Sequence, residues 1–208
     1  MQRPGKIICV GRNYDAHARE MGNPVPAQPL IFLKPPSALV GPGEPIVLPR
    51  VSRRIEHEAE IGVVIGRRLR HARPDETLPA IRGIVCVNDV TARDLQSTDG
   101  QWTRAKGFDT FCPAGPRPVP LEGLDWRSLE IFCRVNGALR QHGRARDMVF
   151  GLPELLVWIS SIMTLEPGDL IATGTPEGVG PLADGDIVEI EIPGVGLLQN
   201  PVRTEPAA

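Results

Sequence analysis

Glu58 and Glu60 stand two residues apart in the run Glu56-His57-Glu58-Ala59-Glu60-Ile61-Gly62. On a β-strand that spacing points both carboxylates to one face. Two adjacent carboxylates repel, and burying them unpaired is costly. A divalent cation between them removes the difficulty. Alternation of this kind more often marks a solvated strand face, and spacing alone leaves the two readings open. The continuation Ile61-Gly62-Val63-Val64-Ile65 carries the strand into a core and argues against solvation. Asp89 tips the balance. It closes the apolar run 84–87, although a turn or helix N-cap ahead of Thr91 and Asp94 is its ordinary alternative. Three carboxylates without histidine or thiolate favour a hard ion, Mg²⁺ or Mn²⁺, with Ca²⁺ as a further option. Zinc would recruit His or Cys.

His17 and Glu20 are spaced i, i+3 and share a face if residues 14–21 are helical. A carboxylate beside an imidazole raises its basicity and fixes its tautomer, so the pair can activate a water as general base. In isolation, an exposed helix with unrelated polar residues is the favoured reading. Arg93 and Gln96 are also three apart, which an ordinary solvated helix would also show. Lys106 precedes Gly107, and a surface position is the usual meaning of such a lysine. The Gly-rich stretch 174–180 has no Lys after its last Gly and is therefore not a phosphate loop. Its glycines permit a tight turn and close backbone approach.

The elements that must position these groups read mainly as strands: 6–10, 30–34, 58–66, 83–90, 129–135, 169–173 and 186–192. Asn136-Gly137 is a hairpin signal. Residues 14–21, 74–80 and 153–163 read as helices, the last with an apolar face and a first-turn Pro. Strand and helix alternate too irregularly for a doubly wound sheet. The expectation is a β-rich mixed fold.

The length, 208 residues, suits one domain, and 41% apolar residues can build its core. A net charge of −2 and 4% aromatics give nucleic acid neither a basic field nor a stacking platform. The apolar run 7–10 is too short for a signal peptide or a membrane span. Four scattered cysteines, Cys9, Cys86, Cys112 and Cys133, read as buried reduced thiols of a cytoplasmic protein. Residues 204–208 read as a frayed tail.

Taken together, several collinear runs resemble the fumarylacetoacetate hydrolase family, in its branch of acylpyruvate hydrolases and oxaloacetate decarboxylases. They are Cys9-Val10-Gly11-Arg12-Asn13-Tyr14 with His17, Phe32-Leu33-Lys34-Pro35, and Glu56-His57-Glu58-Ala59-Glu60. Further along come residues 88–96 (NDVTARDLQ), 102–109 (WTRAKGFD), Pro167-Gly168-Asp169 and 173–180 (TGTPEGVG). The resemblance implies an α+β, β-rich fold with a mixed β-roll core, few short helices, and a homodimer. It implies one catalytic domain over 1–208, with residues 1–50 a possible small N-terminal lobe and lid. It assigns Glu58, Glu60 and Asp89 to Mg²⁺ or Mn²⁺, and a small 2-oxo acid as substrate. Lys106 becomes a substrate-side cation. Arg12 becomes a substrate contact, Arg93 and Gln96 bind the substrate carboxylate or orient groups around it, and Thr175 offers its hydroxyl and backbone to the substrate carboxylate. His17 and Glu20 become the base on a lid segment. The reaction expected is metal-dependent hydrolysis of the C–C bond of a 2,4-diketo acid such as an acylpyruvate or fumarylpyruvate. The alternatives are decarboxylation or keto–enol isomerisation of a 2-oxo dioic acid in aromatic catabolism, or a non-catalytic relative that binds a small acid.

Overall fold

The computed structural model describes residues 3–206. Met1, Gln2, Ala207 and Ala208, the ends of the two expected terminal segments, lie outside the described residues. The chain runs β1 (Ile7–Gly11), α1 (Asp15–Glu20), β2 (Leu30–Lys34), β3 (Leu39–Val40), β4 (Ile46–Leu48), β5 (Ile55–His57), β6 (Ala59–Ile65), α2 (Pro74–Thr77), β7 (Ile81–Asn88), β8 (Thr91–Ala92), α3 (Arg93–Thr98), α4 (Thr103–Lys106), β9 (Cys112–Val119), β10 (Glu130–Val135), β11 (Ala138–Arg144), α5 (Leu152–Ile162), β12 (Leu170–Ala172), β13 (Gly180–Pro181), β14 (Ile187–Ile192) and β15 (Gly196–Thr204).

A seven-stranded mixed sheet has the order β2-β1-β12-β6-β7-β9-β3. A second, five-stranded sheet has the order β11-β10-β14-β15-β4, and β13-β5-β8 form a small third sheet. The β-rich fold with few short helices is therefore as expected. The N-terminal lobe is not separate. β1 and β2 are part of the main sheet, and β4 pairs in parallel with β15 of the second. Their apolar faces need the same partners as the rest of the core. β15 also continues through Thr204, so the expected tail is ordered strand at its start.

The central strands β6 and β7 are buried on both faces, which explains their near-continuous apolar sequences. Ile61, Val63, Ile65 and Ile84 belong to the larger core, together with α5 and the second sheet. Val64, Val85, Val87, Ile7 and Cys9 form a smaller cluster on the opposite face. Glu60 points to that second face, because it pairs in register with Val87. In α5 the buried residues Leu152, Leu155, Leu156 and Ile159 follow the helical repeat. At the β10–β11 turn, Asn136 and Gly137 both have positive φ, 53° and 77°, as a two-residue hairpin of this type requires. Among the described residues, no helix is long and apolar enough to cross a membrane.

Candidate active site

The carboxylate cluster is built where β5, β6 and β7 meet. Glu58 occupies the break between β5 and β6. Its N–H donates to Asn88 Oδ1 at 3.0 Å, and its carbonyl accepts from the Asp89 N–H at 2.8 Å. This stitch brings the end of β7 beside the start of β6. One carboxylate oxygen each from Glu58, Glu60 and Asp89 then lie within 4.8 Å of one another, and all three residues are buried.

Three buried cations surround the cluster. Lys106 Nζ donates to Glu58 Oε2 at 2.8 Å and Asp89 Oδ2 at 2.6 Å. Lys34 Nζ pairs with Asp89 Oδ1 and donates to the Val90 carbonyl at 3.0 Å. Arg93 donates from Nε to Glu56 Oε2 at 2.7 Å and pairs through Nη2 with Glu58. Its Nη1 holds Gln96 Oε1 at 2.8 Å. Lys106 is only 2% exposed, so it is not the surface lysine its loop-like sequence suggested. It closes the one-turn helix α4 and points inward.

These pairings leave one carboxylate without a cation. Among the described residues, Glu60 accepts only the Gly174 N–H, at 2.8 Å. Burial, then the neighbouring Asp89 and Glu58 charges, push its carboxyl well above the ordinary range. Glu58 goes the other way. Burial raises it, but Arg93 and Lys106 more than offset that and hold it low. Glu56 is paired by both Arg93 and Arg54, so the carboxylate left without an ion pair among the described residues is Glu60. An all-oxygen donor set with an unmatched negative charge fits a hard divalent ion.

The cluster forms the floor of a pocket of about 550 Å³. Every residue singled out above for the site except Glu20 lines it. Glu20 reaches it through His17: Nδ1 and Oε2 are 3.1 Å apart, on the six-residue helix α1. The Glu20 carboxylate also accepts the Gly178 N–H at 3.0 Å, which ties the pair to the Gly-rich loop. Arg12 has a left-handed backbone, φ 58°, and its guanidinium lies 5.9 Å from the Trp102 ring centre. Among the described residues it forms no ion pair. A side chain at Gly11 would meet Trp102 at 2.8 Å, so glycine is needed there.

Two of the expected contacts are engaged within the protein. The Thr175 hydroxyl donates to the Ala59 carbonyl at 2.9 Å and accepts from Gln141 Nε2 at 2.8 Å. Its proton is spent inside the protein. Arg93 Nε, Nη2 and Nη1 hold Glu56, Glu58 and Gln96. Sequence reasoning assigned no role to Lys34, Glu56 or Gln141. Lys34 had a signal, a charge closing an otherwise apolar strand. Gln141 had none.

Residues 6–203 match the family model described as fumarylacetoacetate (FAA) hydrolase C-terminal. The mitochondrial oxaloacetate tautomerase FAHD2A of Homo sapiens is 42% identical over 210 residues, covering 96% of this chain and 67% of its own. The crystal structure of 2-hydroxyhepta-2,4-diene-1,7-dioate isomerase from Mycobacterium marinum is similar with a TM-score of 0.90 and 47% identity. That match covers 99% of this chain and 77% of the isomerase. The fumarylacetoacetate hydrolase of Exiguobacterium antarcticum is 39% identical with a TM-score of 0.90, covering 98% and 76%. A carboxylate cluster, an imidazole–carboxylate pair and a shared fold thus converge on one assignment: the chain is an enzyme of the fumarylacetoacetate hydrolase family.

Proposed function

We propose that this enzyme catalyses keto–enol proton transfer on a short 2-oxo dicarboxylic acid of the oxaloacetate type, assisted by Mg²⁺ or Mn²⁺ at Glu58, Glu60 and Asp89. The observation that carries this reading is the His17–Glu20 pair opening onto the same pocket as the three carboxylates. The names of the 42–47% identical relatives, a tautomerase and an isomerase, support it over C–C hydrolysis.

When bound, the ion supplies Lewis-acid stabilisation of the negative charge that develops on the 2-oxo oxygen. The remaining steps belong to the protein. Glu20 accepts at His17 Nδ1, so this nitrogen carries the proton and Nε2 is the basic one. Nε2 takes a proton from the carbon next to the ketone and returns it to oxygen, so the net reaction is a proton shift. The Thr175 N–H and the Gln96 amide, whose oxygen is held by Arg93, offer donors for the first carboxylate. Arg12, which among the described residues forms no ion pair, offers a charge for the second. Arg93 and Lys106 keep Glu58 ionised, and Lys106 and Lys34 hold the Asp89 carboxylate in place.

A second reading is hydrolysis of an acylpyruvate, with His17 activating water. The pocket, about 550 Å³, has room for acyl groups longer than acetyl, which such a reaction could use. Both reactions are followed with Mg²⁺ present, oxaloacetate enol decay in the ultraviolet and pyruvate release from acetylpyruvate. Accelerated enol decay, reduced about 10²–10⁴-fold in His17→Ala, is expected. Pyruvate release without accelerated enol decay would replace tautomerisation by hydrolysis.

A further inference from the structure

Gln141 belongs to β11 of the second sheet, yet its side chain ends against the pocket wall formed by β6 and the loop after β12. It is 1% exposed. All four hydrogen-bonding positions of its amide are occupied. Oε1 lies 2.9 Å from His57 Nδ1 and accepts the Ala59 N–H at 3.1 Å. Nε2 donates to Thr175 Oγ1 and to the Pro176 carbonyl, both at 2.8 Å.

Two of these partners have a fixed polarity. The Ala59 N–H can only donate, and the Pro176 carbonyl can only accept. The amide therefore cannot be flipped, and the other two bonds inherit their direction. His57 must carry a proton on Nδ1. Thr175 must accept from Gln141, so its own proton goes to the Ala59 carbonyl. The hydroxyl keeps only one lone pair for anything else. The Thr175 N–H, by contrast, meets no acceptor among the described residues. The loop is fixed on its other side by Thr173 N and Oγ1, both on the Ile61 carbonyl, and by Gly174 N on Glu60.

We propose that Gln141 is a positioning residue: it sets the hydrogen-bond polarity of Thr175, so that the pocket receives the carboxylate of a 2-oxo acid on the Thr175 N–H. The role rests on the 2-oxo acid reading above. Gln141 never touches the ligand. It acts through Thr175 and Pro176, and it makes the second sheet a support for the site in the first.

The test is pyruvate binding to the Mg²⁺-loaded protein by titration calorimetry, in a double-mutant cycle of Gln141→Leu and Thr175→Val. Gln141→Leu is expected to weaken pyruvate about tenfold, the size of one misplaced buried hydrogen bond. In the Thr175→Val background the same change is expected to cost about twofold, because the side chain it controls is already gone. Costs that simply multiply would overturn the proposal. Gln141→Glu keeps the shape but removes the donors facing Thr175 and Pro176. It is expected to bind pyruvate as weakly as Gln141→Leu at pH 8 and to recover on acidification, when the new carboxyl regains a proton. Wild-type affinity of this variant at pH 8 would show that shape alone suffices and would also overturn it. If the wild type itself fails to bind pyruvate, the 2-oxo acid reading falls. The relay is then judged by the same cycle in urea unfolding, where coupled losses uphold it and additive losses reject it.

Discussion

Lys106 Nζ and Glu58 Oε2 meet at 2.8 Å with both side chains almost out of water. Because Lys106 also reaches Asp89, a protein cation stands between two of the three clustered carboxylates. Lys106→Met leaves them facing each other with less counter-charge. The expected loss in metal-free buffer is about 3–5 kcal/mol, the scale for breaking a buried ion pair. Mg²⁺ at a hundred times its Kd should return about 2.7 kcal/mol. Urea unfolding with EDTA and with Mg²⁺ measures both. An unchanged midpoint in EDTA would remove Lys106 from the charge balance.

Glu58 and Glu60 should respond oppositely to loss of charge. Glu60 has no ion-pair partner among the described residues, so Glu60→Gln in metal-free protein should change stability by less than about 1 kcal/mol. Glu58→Gln strips Arg93 and Lys106 of a shared anion and should cost about 3–5 kcal/mol. Both substitutions should abolish the Mg²⁺-dependent rise in Tm. Equal costs in EDTA would contradict the charge assignment.

Asp94 provides a pH signature away from the cluster. Its carboxylate accepts Ser52 Oγ at 2.6 Å, the Arg53 N–H at 2.8 Å and the Leu95 N–H at 3.1 Å. Slight burial raises its pKa, but these donors outweigh that and hold it below the ordinary 3.8. A depressed carboxyl stabilises the fold above its unfolded pKa, and the contribution is lost as pH falls through the folded value. Asp94→Asn should cost about 1 kcal/mol at neutral pH, and its difference from wild type should shrink as pH falls below the ordinary carboxylate value of 3.8. Acid unfolding series of both proteins test this.

All four cysteines are free and buried. Burial pushes Cys86, Cys112 and Cys133 up to about 12 and Cys9 well above its usual value. Native protein at pH 8 should resist iodoacetamide, and unfolding should release four reactive thiols, counted by mass. Rapid native labelling would place a thiol at the surface.

The site was legible where chemistry forced a pattern. Glu58 and Glu60 betray themselves because a period-two pair of charges runs straight into Ile61–Ile65, a contradiction that only burial with counter-charge resolves. β9 was hidden for the opposite reason. Pro113, Pro116 and Pro118 cannot donate to a ladder, so the segment reads as a loop although it lies between β7 and β3. Lys106 and Lys34 look like surface residues until the fold supplies Asp89 between them. Gln141 lies on a mostly exposed strand, and nothing local distinguishes it. Its partners come from β5, β6 and the loop after β12, and long-range contact of that kind leaves no trace in spacing.

The pairing of Glu60 with Val87 also says where the chain tolerates changes in length. Residues 66–80 join β6 to β7 at the end of the strands away from the carboxylates, and insertions there leave the pairing intact. One residue added inside β6 cannot be absorbed. Either the acids turn to the opposite face, or Ile61, Val63 and Ile65 do. Relatives that keep this chemistry should therefore differ in length at that connection and hold β6 to a constant count.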